Sequence, residues 1–277
     1  MVTVEAMLHG ATTATYDLAV HDSVIDAGLI AAVHLHLTSQ TGPDDGLTDA
    51  VVQVGLMADL LDGAYDGTVE LGTVLRHGDL GIGTVDGLDG ELVIVDGVAY
   101  VVRSNGTVEA VAPTVRTPFA VVTPFRPSTW FSVRNGDRPA FLAAVEEHRG
   151  IAPIVALRAH GSVASLALRS VDRQFPPYRP LTDVVAEQHA WVATSVVGTF
   201  VGFSFPDELS GVEVGGYHLH FLSDDRLTGG HVMEFEGADL EVSMAHDHDL
   251  GVVTPSLTTL RSALSADRSA IAEVEGR

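Results

Sequence analysis

The chain has 277 residues, 46% hydrophobic and 19% charged, which suits one large globular domain or two modest ones and excludes a disordered chain. Its formal net charge is −22 and all fifteen basic residues are arginine, so the surface repels nucleic acid and anionic membranes. There is no cysteine, which excludes disulfides, thiolate metal sites and thiol nucleophiles.

Residues 1–47 give few signals and read as an N-terminal extension. Within them His34-Leu35-His36 forms a His-x-His pair without a third histidine at a matching spacing, so it reads as a strand or short helix packed on the main body. Thr48 and Asp49 predict a helix N-cap, followed by Val51, Val52, Val54, Leu56, Met57, Leu60 and Leu61 at near-helical spacing, with Gly63 ending the run. Residues 77–85 are glycine-rich but lack a phosphate-loop lysine and a following helix. They predict tight turns and close backbone approach rather than a nucleotide site, with Asp79 as a turn residue. Residues 88–102 read as a β-hairpin around Asp96-Gly97, and Ser104-Asn105-Gly106 turns into a further strand.

Pro124, Pro127, Pro139 and the Asn135-Gly136 pair mark a boundary. Beyond it, residues 140–149 predict an amphipathic helix capped near Asp137 and ended by Gly150. One or two strands follow at 154–168, a helix at about 181–190, β-rich chain at 194–205, a strand near 240–243 and a helical tail at about 257–275. Helices and meandering strands mix without regular βαβ alternation, so the expected class is α+β with mixed sheets. The expected division is an extension at 1–47, a first domain at 48–135 and a second at 136–277.

The most informative stretch is Gly216-Tyr217-His218-Leu219-His220-Phe221, followed by a polar turn and Gly229-Gly230-His231. In a strand, His218 and His220 share a face and Leu219 takes the other. If residues 224–227 form a four-residue loop, Ser223 pairs with Thr228 and His220 lies opposite His231. Three neutral imidazoles on a rigid sheet suit zinc with an open position for water or substrate. His246-Asp247-His248-Asp249 offers metal-ligand types too, but in so acidic a chain it reads as a solvated loop.

Taken together, Gly63-Ala64-Tyr65-Asp66-Gly67, His77-Gly78-Asp79-Leu80-Gly81-Ile82-Gly83-Thr84, Leu88-Asp89-Gly90-Glu91-Leu92 and the histidine hairpin resemble the α-acetolactate decarboxylase family from about residue 50 onward. The resemblance implies decarboxylation of 2-acetolactate to acetoin, with zinc on His218, His220 and His231. It also implies an active-site arginine, Arg169 in Arg169-Ser170-Val171, and two glutamates. One is Glu91; the other lies in the C-terminal tail, where Glu275 fits best and Glu273 is two residues away. A two-domain body with the histidine hairpin in the second domain and a homodimer joined through the first are implied as well. The residues alone leave open another three-histidine zinc hydrolase or isomerase, or a non-catalytic acidic binding module.

The remaining expectations concern setting. No apolar run approaches a membrane span, and the start lacks a signal-peptide pattern, so a cytoplasmic enzyme with neither nucleic-acid nor membrane partners is expected. The acidic, lysine-free balance predicts a protein adapted to a salt-loaded cytoplasm, where ionic strength screens self-repulsion.

Overall fold

Short β-branched runs separated by glycine turns dominate the chain and fold into two main sheets. The computed structural model describes residues 3–7, 13–17, 34–38, 50–253 and 268–275. In chain order the strands are β1 (Thr3–Met7), β2 (Thr13–Asp17), β3 (His34–Thr38), β4 (Val51–Val54), β5 (Val69–Glu70), β6 (Leu80–Thr84), β7 (Glu91–Val95), β8 (Val98–Val102), β9 (Val108–Ala110), β10 (Arg116–Thr117), β11 (Ala120–Thr123), β12 (Thr129–Gly136), β13 (Ile154–Ser170), β14 (His189–Phe205), β15 (Gly216–Ser223), β16 (Gly229–Asp247) and β17 (Asp249–Val253). The helices are α1 (Met57–Leu61), α2 (Leu71–Val74), α3 (Arg138–Arg149), α4 (Leu181–Ala186) and α5 (Arg268–Val274). The class is mixed α+β.

The first sheet has ten strands in the order β2-β1-β3-β17-β4-β11-β6-β7-β8-β9. Pairings of β17 with β3 and β4 are parallel, whereas β4–β11 and the meander from β6 to β9 are antiparallel. The hairpin at Asp96-Gly97 forms as expected, with positive φ at both residues, as a tight two-residue turn needs. Segments 3–7, 13–17 and 34–38 add three strands to this sheet, so His34 and His36 lie on a strand.

The second sheet runs β12-β16-β13-β14-β15, and β15 also pairs with β16, closing four of its strands on themselves. Helix α3 covers it. Asp137 caps α3 by accepting from the Ala140 amide at 2.8 Å, and Gly150 ends it at φ 65°, as expected. Phe141, Phe200, Phe221 and Phe235 fill the core beneath α3. A separate core joins the two sheets, with Leu80, Ile82 and Val93 of the first packed against Val201, Phe203 and Leu222 of the second. Burial of this kind stabilises by roughly 25 cal/mol per Å² of apolar surface removed from water.

Several local expectations are corrected. Val51–Val54 is a strand, not the start of a helix; all four residues are buried in the middle of the ten-stranded sheet, and only Met57–Leu61 is helical. The expected cap at Thr48 and Asp49 lies outside the described residues. Helix α4 ends at Ala186, and β14 begins at His189, earlier than expected. The run His246-Asp247-His248-Asp249 is not a solvated loop: it is the half-buried junction between β16 and β17. Of the expected tail helix, residues 268–274 are helical and 254–267 lie outside the described residues. Among the described residues, no helix is long and apolar enough to cross a membrane.

Candidate metal centre

The β15–β16 hairpin has the expected register. The Ser223 amide donates to the Thr228 carbonyl at 2.9 Å, and His220 lies opposite His231. Period-2 alternation puts His218 on the same face as His220, while Leu219 turns the other way into the second sheet's core. All three histidines are buried, and one ring nitrogen from each lies within 4.8 Å of the other two.

The neighbouring strand is phased to match. β13 pairs with β16, and an irregularity between Ala167 and Leu168 leaves Met233 as an extra residue on β16. That shift sets Arg169 opposite His231. Gly230 beside it has φ 131°, and a Cβ there would come within 2.7 Å of the Arg169 carbonyl, so only glycine lets the two strands close at this point.

Ring orientation follows from one bond. His220 Nδ1 lies 2.8 Å from the Leu92 carbonyl of β7, which fixes the proton on Nδ1 and turns the Nε2 lone pair into the cluster. Nε2 of His218 is 3.1 Å from Nε2 of His220. Burial, followed by the His218 ring, pushes His220 well below the ordinary histidine pKa; burial, followed by the Arg169 guanidinium, does the same for His231. Neutral imidazole is the form that binds metal, and three converging ring nitrogens on rigid strands are a donor set that fits a divalent ion such as zinc.

Two carboxylates and one guanidinium complete the pocket. Glu91, the first residue of β7, has Oε2 3.4 Å from His220 Nε2. Burial drives its carboxyl up to about 7, with Arg169 opposing and Glu275 adding to the shift. The turn before Glu91 depends on Gly90, at φ 108°, whose carbonyl accepts from the Thr84 hydroxyl at 2.8 Å. From the other side α5 brings Glu275, whose Oε2 is 3.8 Å from His231 Nε2. Arg169 is 4% exposed and donates from Nη2 to the Val274 carbonyl at 2.7 Å, tying the end of α5 to the site. Met57, Leu60, Phe119 and Leu181 form apolar walls around Glu91, Arg169, His218, His231 and Glu275.

The structure therefore brings together all six residues singled out in the sequence: His218, His220, His231, Arg169, Glu91 and Glu275. Glu273, the alternative tail carboxylate, is exposed. Asp79 stays away from the site; its side chain accepts from the Phe125 amide at 2.8 Å and shapes a turn. Sequence reasoning missed Glu213, which is fully buried with Oε1 3.9 Å from His218 Nδ1. Burial and then Glu275 raise its pKa well above the ordinary value, with the Val214 amide opposing. The available signal was a lone acid between two valines just ahead of the histidine strand.

Comparison with known proteins identifies the family. The family model for alpha-acetolactate decarboxylase matches residues 51–264. The Bacillus licheniformis alpha-acetolactate decarboxylase is 36% identical over 218 residues, covering 77% of this chain and 85% of that protein. The Klebsiella aerogenes enzyme of the same name is 33% identical, covering 85% and 90%. The crystal structure of alpha-acetolactate decarboxylase from Bacillus subtilis superposes with a TM-score of 0.77 at 34% identity, covering 82% of this chain and 99% of that one. A family-model match over most of the chain, with relatives at 33–36% identity covered along most of their length, places the chain in the alpha-acetolactate decarboxylase family.

Proposed function

We propose that the protein is a carboxy-lyase that converts 2-acetolactate to acetoin and CO2 at a zinc ion held by His218, His220 and His231. The single observation that carries the proposal is a cluster of three buried imidazoles, two of which line one pocket with Arg169, Glu91 and Glu275. When bound, zinc would supply Lewis-acid polarisation of the substrate's oxygens.

The chain's own residues account for the rest. Arg169 offers a planar guanidinium suited to a carboxylate or to paired oxygens, and its link to Val274 fixes its plane. As the carbon–carboxylate bond breaks, its electron pair moves onto the neighbouring ketone, giving an enediolate. A proton must then reach one carbon from one side to give a single enantiomer of acetoin. Glu91, a buried carboxyl beside His220 at the edge of the pocket, is placed to hold that proton. Glu275 faces the same pocket from α5. We assign them divided roles: one orients the substrate and the other delivers the proton. The apolar walls limit water around the nascent enediolate.

The same proposal includes a homodimer, as the family resemblance implies, and a cytoplasmic, salt-adapted setting, supported by the −22 charge. Incubation with racemic 2-acetolactate tests the activity: acetoin and CO2 should form in equal amounts, with one acetoin enantiomer dominant. Absence of acetoin from the metal-loaded protein would overturn the proposal and leave another zinc-dependent hydrolase or isomerase.

A further inference from the structure

Glu213 is a buried carboxylate beside the histidine cluster that the proposed chemistry leaves unused. It lies between β14 and β15 and is 0% exposed. Neither carboxyl oxygen makes a hydrogen bond of ordinary geometry to a described residue. A buried carboxyl with only the Val214 amide and the His218 ring beside it is costly, so its presence needs a reason. The backbone holds it in place. The Glu213 amide donates to the Leu209 carbonyl at 3.0 Å, and the Glu213 carbonyl accepts from the Gly211 amide at 3.2 Å. On either side, Val212 and Val214 are anchored in two different apolar clusters.

We propose that Glu213 is a positioning residue for the metal centre, accepting the Nδ1–H of His218 when His218 Nε2 takes the ion. The inference rests on the metal reading given above. An imidazole that ligates through one nitrogen carries its proton on the other, and that N–H needs an acceptor to fix the ring. His220 meets this need with the Leu92 carbonyl at 2.8 Å. For His218, Nε2 is the nitrogen facing His220, and Glu213 Oε1 stands 3.9 Å from Nδ1 on the opposite side of the ring. Reaching an ordinary hydrogen-bond length takes a shift of about 1 Å. A carboxyl group offers an acceptor oxygen whether or not it is ionised, so the contact does not depend on its titration.

Two variants of the full-length protein test this. Glu213→Met keeps the side-chain length and removes the acceptor; Glu213→Gln keeps a carbonyl acceptor. Zinc affinity, measured by competition with a chromophoric chelator, should fall about 10–100-fold in the Met variant and stay near wild type in the Gln variant. The zinc-free Met variant should melt at or above the wild-type temperature, because an unsatisfied buried carboxyl has been removed. A purely structural role cannot move these two readouts in opposite directions. Wild-type affinity in Glu213→Met, equal losses in both variants, or a loss of affinity that tracks a lower zinc-free melting temperature would overturn the proposal. A wild-type protein that binds no zinc would instead overturn the metal reading itself.

Discussion

His220 is held by contacts from both sheets: its Nδ1 reaches the Leu92 carbonyl of β7, and its Nε2 lies beside Glu91 of the same strand and His218 of its own. That arrangement makes the protonation of Glu91 a matter of folding as well as of chemistry. Its carboxyl rises from 4.5 to about 7, chiefly through burial. The zinc-free folded protein thus keeps a proton that the unfolded chain releases. The stabilisation is complete below about 4.5 and is lost as the pH climbs to about 7. Glu91→Gln, neutral throughout, removes that slope. Thermal unfolding of the zinc-free proteins should show the variant gaining on wild type across this window, by about 3 kcal/mol in all; parallel curves would contradict the assignment. At this scale the sequence was most readable where a local rule applied. Strand alternation and an even loop sufficed to bring His218, His220 and His231 together. Glu213 was not readable, because its importance comes from burial against chain distant in sequence.

The C-terminal element shows how a short helix can complete a site. Ile271 and Val274 of α5 pack with Met57, Leu60, Leu181 and Val184 from α1 and α4, while the Arg169 guanidinium caps the Val274 carbonyl at the helix's negative end. Glu275 follows immediately and faces His231. Glu275→Gln should therefore leave the fold and the bound zinc in place but lower turnover at least tenfold, as loss of a proton-handling group does. Full turnover with unchanged product chirality would show that Glu275 takes no part. Element boundaries were legible where capping chemistry marked them, as at Asp137 and Gly150 around α3. They failed at Val51–Val54, where an unbroken apolar run fits a buried strand and a helix equally well, and only its place between β17 and β11 decides. The 17-residue strands β13 and β14 and the 19-residue β16 were seen only as fragments, since their exposed stretches break the apolar pattern.

Across the whole molecule, pairings distant in sequence shape the site. β17 joins the first sheet from residues 249–253, and β7 of that sheet supplies both Glu91 and the Leu92 carbonyl to a histidine cluster borne by the second. No local signal reveals such crossings, although the family resemblance did connect the same residues. Net charge acts at this scale as well. At −22 with no lysine, self-repulsion should be screened as ionic strength rises, so the melting temperature should increase from low to molar KCl. A flat response would remove the salt-adaptation reading and leave arginine usage as a matter of codon preference. The central claim is that one zinc ion on His218, His220 and His231 drives the decarboxylation, and one measurement addresses it most directly: acetoin release from 2-acetolactate, followed together with zinc content while a chelator strips the full-length protein and zinc is then restored. Turnover should fall in proportion to zinc lost, vanish in the stripped protein, and return as one zinc per chain rebinds, whereas His220→Ala should neither hold the ion nor recover. Undiminished acetoin formation by zinc-free protein, or by His220→Ala, would contradict it.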